Sequence, residues 1–435
     1  MNLFRHEGVR RYAANTLWML VENILRLVYG ILVGVWVTRF LGPEQYGVIS
    51  YALAFVAIFG TAAKVGLDSI VIRDLVNHPE KKAEYMGTAF WLKLIGGLIS
   101  FGIITFVAYL SPNSTSTNLY ILVISAGLIF QSYEVIDFYY QSQVKSKYVS
   151  ISKIIQLVIS AIIKLYLIKI QANIIYFVFT YLLEQVVLSL MLYITYNSQK
   201  HSRFYKYFNT DIAKILLSES WPVIIVGIAI TIQSKIDQVI LGSFLGSENL
   251  GFYALAISFI EIISFIPIII NSSITPAIIN AKKRSQIEYT KRLQTYYSVM
   301  FILSVLIGLP IMLFGQNITI FLYGSKFASA GIILSFLSLR IFFANMGVAR
   351  SQYIVNEKLL KFNLLTTALG ASVSIILNFY LIPIYGVVGA IVASYLSFFV
   401  STFLIDIFYQ KARTNLVIML RGIVYSYQIF SKTLI

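Results

Sequence analysis

The chain has 435 residues, 58% of them hydrophobic and 12% charged, with a mean hydropathy of +0.80 and a formal net charge of +16. That composition excludes a water-soluble globule, and no polar stretch is long enough to build a separate domain with its own core. Cysteine is absent and the three histidines (His6, His78, His201) are scattered, which argues against disulfides, thiolate chemistry and histidine-based metal or catalytic sites.

A crossing of the bilayer takes roughly 20 apolar residues, and the chain accommodates about twelve. The first covers about residues 15–41 and stops at Gly42-Pro43. The basic start leads into this long run without a small-residue cleavage pattern, so it is expected to be a retained helix. The second, 48–76, is interrupted near Lys64 to Asp68. The third to sixth fall at about 86–110, 119–141, 151–170 and 173–196, the third ending at the uncharged turn Ser111–Thr117.

Residues 199–214 are expected to be a cytoplasmic linker between an N-terminal six-helix bundle (1–198) and a C-terminal one (215–412). Six more crossings follow, at about 215–244, 252–280, 293–314, 332–355, 363–384 and 387–409. Pro267 and Pro276 should bend the eighth and free carbonyls that a neighbour must satisfy. The basic and apolar tail, 413–435, is too short and too charged for a thirteenth span and reads as an interfacial helix.

The halves repeat each other. FLGPEQYG (Phe40–Gly47) follows the first crossing and FLGSENLG (Phe244–Gly251) the seventh, and Tyr-Ala-Leu-Ala follows each motif (Tyr51–Ala54 and Tyr253–Ala256). Two turns that each need glycine would explain part of this, but five matches in eight followed by YALA favour duplication. Six crossings separate the motifs, so the copies are parallel, related by a pseudo-two-fold axis along the membrane normal. The expected fold is therefore an all-α polytopic membrane protein.

Of the 34 Lys and Arg, only Arg39, Lys169 and Lys326 lie in one alternate set of loops, and eight lie inside or at the ends of apolar runs. The remaining twenty-three occupy the tails and the opposite loops. Loops rich in Lys and Arg stay cytoplasmic, which places both termini in the cytoplasm of a multi-pass cytoplasmic-membrane protein. The positive charge is thereby read as contact with membrane lipid headgroups, with no nucleic-acid partner.

The eight membrane cations are Arg26, Lys64, Lys93, Lys153, Lys164, Lys235, Arg340 and Arg350. Each costs about 2.5–3.5 kcal/mol at a helix centre, so such residues usually face a protein interior or a wet cavity. Glu22 and Arg26, and Lys64 and Asp68, stand four apart and can share a helix face. Each pair is either purely structural or a cavity cation tuned by its carboxylate. Glu134 and Asp137 have no adjacent cation, and carboxylates in apolar surroundings take up protons readily. They are read either as acceptors of H+ or Na+ or as partners of bases on a neighbouring helix. Lys153, Gln156, Ser160 and Lys164 form a polar stripe expected to face a central cavity. Lys235 and Asp237, two apart, point to different faces; Arg340 is nearest the middle of the tenth crossing. The candidate cation-lined substrate site is thus Arg26, Lys64, Lys153, Lys164, Lys235 and Arg340. Glu22, Asp68, Glu134, Asp137 and Asp237 are candidate charge partners or ion-coupling groups.

Residues 15–60, with Gly66–Val76 (GLDSIVIRDLV) and Ser234–Ala256 (SKIDQVILGSFLGSENLGFYALA), resemble polysaccharide-repeat-unit flippases of the multidrug/oligosaccharidyl-lipid/polysaccharide (MOP) exporter superfamily. The resemblance implies two six-helix bundles splayed as a V around a cationic cavity. It also implies translocation of an undecaprenyl-pyrophosphate-linked oligosaccharide for surface polysaccharide (O-antigen, capsule or exopolysaccharide), working beside polymerase and export machinery. No covalent step and no cofactor are required, so no enzyme is expected. A peptidoglycan-precursor flippase and a multidrug exporter remain as alternatives. A polytopic glycosyltransferase or polymerase would need a large external loop with carboxylates, which the sequence lacks.

Overall fold

The computed structural model describes residues 7–199 and 201–433, with side chains for 14–199 and 201–426. Among the described residues there are helices and turns but no strand. In chain order the helices are α1 (Glu7–Ala63), α2 (Asp68–Asn77), α3 (Lys82–Leu110), α4 (Thr115–Phe130), α5 (Val135–Ser142), α6 (Lys147–Lys169) and α7 (Ile174–Ser198). They continue as α8 (Thr210–Ile263), α9 (Phe265–Arg284), α10 (Gln286–Tyr323), α11 (Ala328–Leu337), α12 (Leu339–Asn356), α13 (Leu360–Phe399) and α14 (Gln410–Thr433).

Three of these are two crossings joined end to end. α1, α8 and α13 bend at Gly42, Gly246 and Gly386, whose φ values are 73°, 81° and 59°. An L-residue pays for that conformation because its β-carbon meets the backbone, so glycine fills it. The duplicated motif is thus a duplicated bend: Gly42 and Gly246 also match in ψ, 175° and 176°.

Other interruptions have local causes. After α1 the chain turns through Val65 (φ 56°) and Gly66 (φ 59°) before α2 starts at Asp68. α8 yields to α9 at Ser264; Pro267 has no N–H to offer the Ile263 carbonyl, so the ladder breaks one turn before the ring. α11 and α12 meet at 45° across Ser338. Side chains cap several starts: Asn173 accepts from Ile175 N, Asn209 from Asp211 N and Ile212 N, and Ser285 from Glu288 N.

Eight described helical stretches are long and apolar enough to cross a membrane, or nine with the bent pair. Counting the crossings fused at the three glycine bends gives about twelve. Large apolar side chains such as Ile162 and Phe106, each more than 60% exposed, clothe their outer faces as lipid contact requires.

The chain forms two compact units. The first holds the described residues up to Leu41 and Tyr51–Thr231; the second holds Gly42–Ser50 and the chain from Ile232. Residues 201–214 dock on the first unit. Phe204 is fully buried, Trp91 Nε1 donates to the Tyr205 carbonyl at 3.0 Å, and Asn209 N donates to Thr88 Oγ1 at 3.0 Å. In the second unit α14 lies along α10, with Ala412, Asn415, Met419 and Gly422 on its buried face. Tyr297 donates to Asn415 Oδ1 at 2.8 Å and Ser298 to the Gly422 carbonyl at 2.6 Å.

Within the second unit the two motif copies also touch reciprocally. A β-carbon added to Gly47 would stand 1.8 Å from the Ser247 carbonyl oxygen; one added to Gly251 would stand 1.9 Å from that of Pro43. Glycine permits that approach and nothing larger would.

Candidate functional site

Seven of the eight membrane cations sit against carboxylates. In the first unit the Arg26 guanidinium binds Glu22 one turn back, as their spacing predicts, with Glu22 buried and Arg26 half exposed. Lys93, fully buried in α3, reaches Glu134 at 2.9 Å and Asp68 at 3.7 Å and lies over the Phe138 ring. Lys153 of α6 reaches Asp137 of α5 at 2.8 Å. Glu134 and Asp137 are therefore paired with bases on neighbouring helices, the second of their two expected arrangements.

The expected Lys64–Asp68 pair is not formed. The four-residue rule holds only along a continuous helix. The left-handed turn at Val65-Gly66 swings Asp68 toward Lys93 and leaves Lys64 alone. Among the described residues, Lys64 is the one membrane cation without a carboxylate within 4.0 Å.

The polar stripe of α6 also divides. Lys153 goes to α5, whereas Ser160 and Lys164 converge on Glu184 of α7. Lys164 Nζ donates to Glu184 Oε1 at 2.7 Å and to Tyr29 Oη at 3.0 Å, and Tyr29 donates to the same carboxylate at 3.2 Å. The Ser160 hydroxyl donates to it as well. Lys164 lies over the Tyr181 ring at 4.8 Å. Its stripe thus faces helix contacts inside the unit, because α7 supplies the counter-charge there. Glu184 is absent from the sequence-derived candidates, yet it is the sole charged side chain in α7.

Beside Glu184 opens a pocket of about 390 Å³. Lys64, Gln131, Glu184 and Gln185 supply its polar lining, and Leu53, Val56, Ile124 and Tyr181 part of its apolar wall. Thr61 and Thr231 bond to each other at its edge, 2.9 Å apart. Gln131 Oε1 is buried without a hydrogen-bond partner among the described residues.

In the second unit Lys235 reaches Glu261 at 2.7 Å. Asp237 is fully buried: Tyr253 donates to it at 2.7 Å, and Arg340 Nη1 stands 3.6 Å away. Arg340 also lies over the Phe398 ring. Arg350 binds Asp406 through both Nε (2.9 Å) and Nη2 (2.6 Å). A wider π-type turn, Val400–Leu404, followed by a tight one, Ile405–Phe408, presents Asp406 to it.

Apart from Lys64, the predicted cations are thus distributed over two units in separate, compensated pairs. Groups of three or more potential metal ligands are absent among the described residues.

Apolar crossings that carry compensated charge in their interiors define a polytopic membrane protein. The family model described as "Polysaccharide biosynthesis protein" matches residues 12–282, and the chain belongs to that family. It is 22% identical over 403 residues to the capsular polysaccharide biosynthesis protein CapF of Staphylococcus aureus, covering 91% of this chain and 98% of that one. The fold is shared with MOP-superfamily transporters. The lipid II flippase MurJ in an inward closed conformation superposes with a TM-score of 0.70, at 15% identity, over 97% of this chain and 93% of that one. An inward-facing multidrug resistance MATE family transporter gives 0.68, at 15% identity, over 93% and 94%.

Proposed function

We propose that this protein flips an undecaprenyl-pyrophosphate-linked oligosaccharide repeat unit from the inner to the outer leaflet of the cytoplasmic membrane by alternating access. The observation that carries the reading is ionic chemistry embedded in the crossings of a polysaccharide-biosynthesis family member. A pyrophosphate-linked glycan is anionic and polar at one end and hydrocarbon at the other. Moving its head across the bilayer requires cations within the apolar layer, while the polyprenyl tail stays in lipid.

The pairings refine how those cations act. A buried cation already matched by a carboxylate is tolerated but offers little free charge. Pairs with an exposed member, Arg26–Glu22 and Lys235–Glu261, can exchange the carboxylate for a phosphate oxygen. Arg350–Asp406, in which neither member is exposed, reads as structural. Membrane potential supplies about 2.3 kcal/mol per charge per 100 mV to such a step. Glu134 and Asp137 are held by Lys93 and Lys153, so coupling of H+ or Na+ through either would require release of its lysine. The proposed partners are the lipid-linked substrate, membrane lipids and the polymerase and export machinery.

The test is the leaflet distribution of the lipid-linked repeat unit in cells lacking this gene, complemented at matched protein levels. Wild type should restore delivery to the outer leaflet, whereas Arg26→Ala and Lys235→Ala should leave the unit on the cytoplasmic side. Normal delivery without the gene, in cells freed of related flippases, overturns the reading.

A further inference from the structure

We propose that the pocket beside Glu184 in the first unit binds a single anion-bearing sugar residue of the cargo. This rests on the reading of the chain as a carrier of a lipid-linked glycan, and adds which part of the cargo is held, where, and by which side chains.

Four features point to that ligand. First, Lys64 is the membrane cation with no carboxylate within 4.0 Å among the described residues, and it lines this pocket. The turn at Val65-Gly66 has redirected its sequence neighbour Asp68 to Lys93, so its ammonium remains available to an anion. Second, the pocket's own carboxylate is no competitor. Glu184 is engaged by Lys164, Tyr29 and Ser160, which leaves it fixed at the floor as an acceptor for hydroxyl groups. Third, Gln131 Oε1 is buried without a partner among the described residues, and such an atom costs free energy until a donor reaches it. A sugar hydroxyl is that donor. Fourth, the apolar wall with Tyr181 offers a face for the ring's C–H side. Two glycines keep the space open: β-carbons at Gly60 and Gly127 would stand 2.9 Å from the Leu128 side chain and 3.0 Å from that of Gln185.

Size limits the ligand. At about 390 Å³ the pocket lies near the lower end of small-molecule sites, room for one ring and its substituents. The anion is either the phosphate on the reducing-end sugar or a carboxylate on an acidic sugar; both place a negative charge beside hydroxyls.

The experiment uses the full-length protein in lipid nanodiscs and ligand-detected NMR with three soluble probes: glucose 1-phosphate, glucuronic acid and glucose. Inorganic phosphate is the control for plain anion binding. At least one anionic sugar should bind more tightly than glucose and than phosphate. Lys64→Gln should weaken it roughly tenfold, the loss of one charge-assisted hydrogen bond, and Lys64→Arg should restore it. Gln131→Leu should weaken all sugar probes alike. A preference for glucose 1-phosphate identifies the reducing end as the source, and a preference for glucuronic acid identifies an acidic sugar. The proposal is overturned by absent binding, by phosphate binding as tightly as the sugars, or by an unchanged affinity in Lys64→Gln.

The same variants in the leaflet assay separate the two readings. Normal flipping by Lys64→Gln and Gln131→Leu sinks the pocket alone. Failure of wild type itself to alter leaflet distribution sinks the flippase reading, whatever the pocket binds.

Discussion

At the scale of single residues, energetics turns on pairing. Arg350 and Asp406 are both buried and doubly hydrogen-bonded, so removing one strands the other in a low-dielectric interior. Asp406→Ala should destabilise the second unit by about 3–5 kcal/mol, whereas the apolar double substitution Arg350→Met with Asp406→Leu should recover most of that loss. Thermal unfolding of the three proteins in one detergent measures it; a double variant less stable than Asp406→Ala would refute the account. The sequence revealed which residues carry charge inside the membrane, because Lys and Arg stand out against Leu and Ile. It did not reveal most partners. Glu184 lies on the helix after that of Lys164, 20 residues on, and Asp406 lies 56 residues from Arg350, beyond any spacing along one helix, and which faces touch is a tertiary fact. The Lys64–Asp68 expectation fails for a local reason: the helix breaks between the two residues at Val65-Gly66.

At the scale of the element, the bends decide the outcome. Those marked by glycine or proline were legible: Gly42 and Gly246 adopt the same left-handed conformation, and Pro267 breaks the eighth crossing at Ser264. The 45° bend at Ser338 and the π-type turn at Val400–Leu404 carry no such residue. Gly47 and Gly251 are the critical close-approach positions. Alanine at either pushes a β-carbon into a backbone carbonyl and should cost about 1–3 kcal/mol. Since both substitutions strain one contact, the double variant should lose less than the sum of the singles. Strict additivity in denaturation midpoints would show that the two glycines do not share a contact.

At the scale of the whole molecule, charge asymmetry is the basis of the proposed orientation. The chain has no cysteine, so single cysteines report topology without background. Cysteines introduced at Lys169 and Lys326 should react with a membrane-impermeant thiol reagent in intact cells, and those at Lys81 and Lys206 only after permeabilisation. The opposite pattern would invert the proposed orientation. Duplication is visible at this scale too, and the reciprocal glycine contact gives it a further meaning. Gly47 meets Ser247 while Gly251 meets Pro43, and 43 and 247, like 47 and 251, are corresponding positions of the repeat. That is the self-complementary pattern of an isologous dimer interface, in which position i touches j and j touches i. A six-helix ancestor with one copy of the motif would meet its own twin through the same glycines. If the chain arose by fusion of two such copies, the fusion would have needed no new contact at this point, only a covalent link between segments that already fitted.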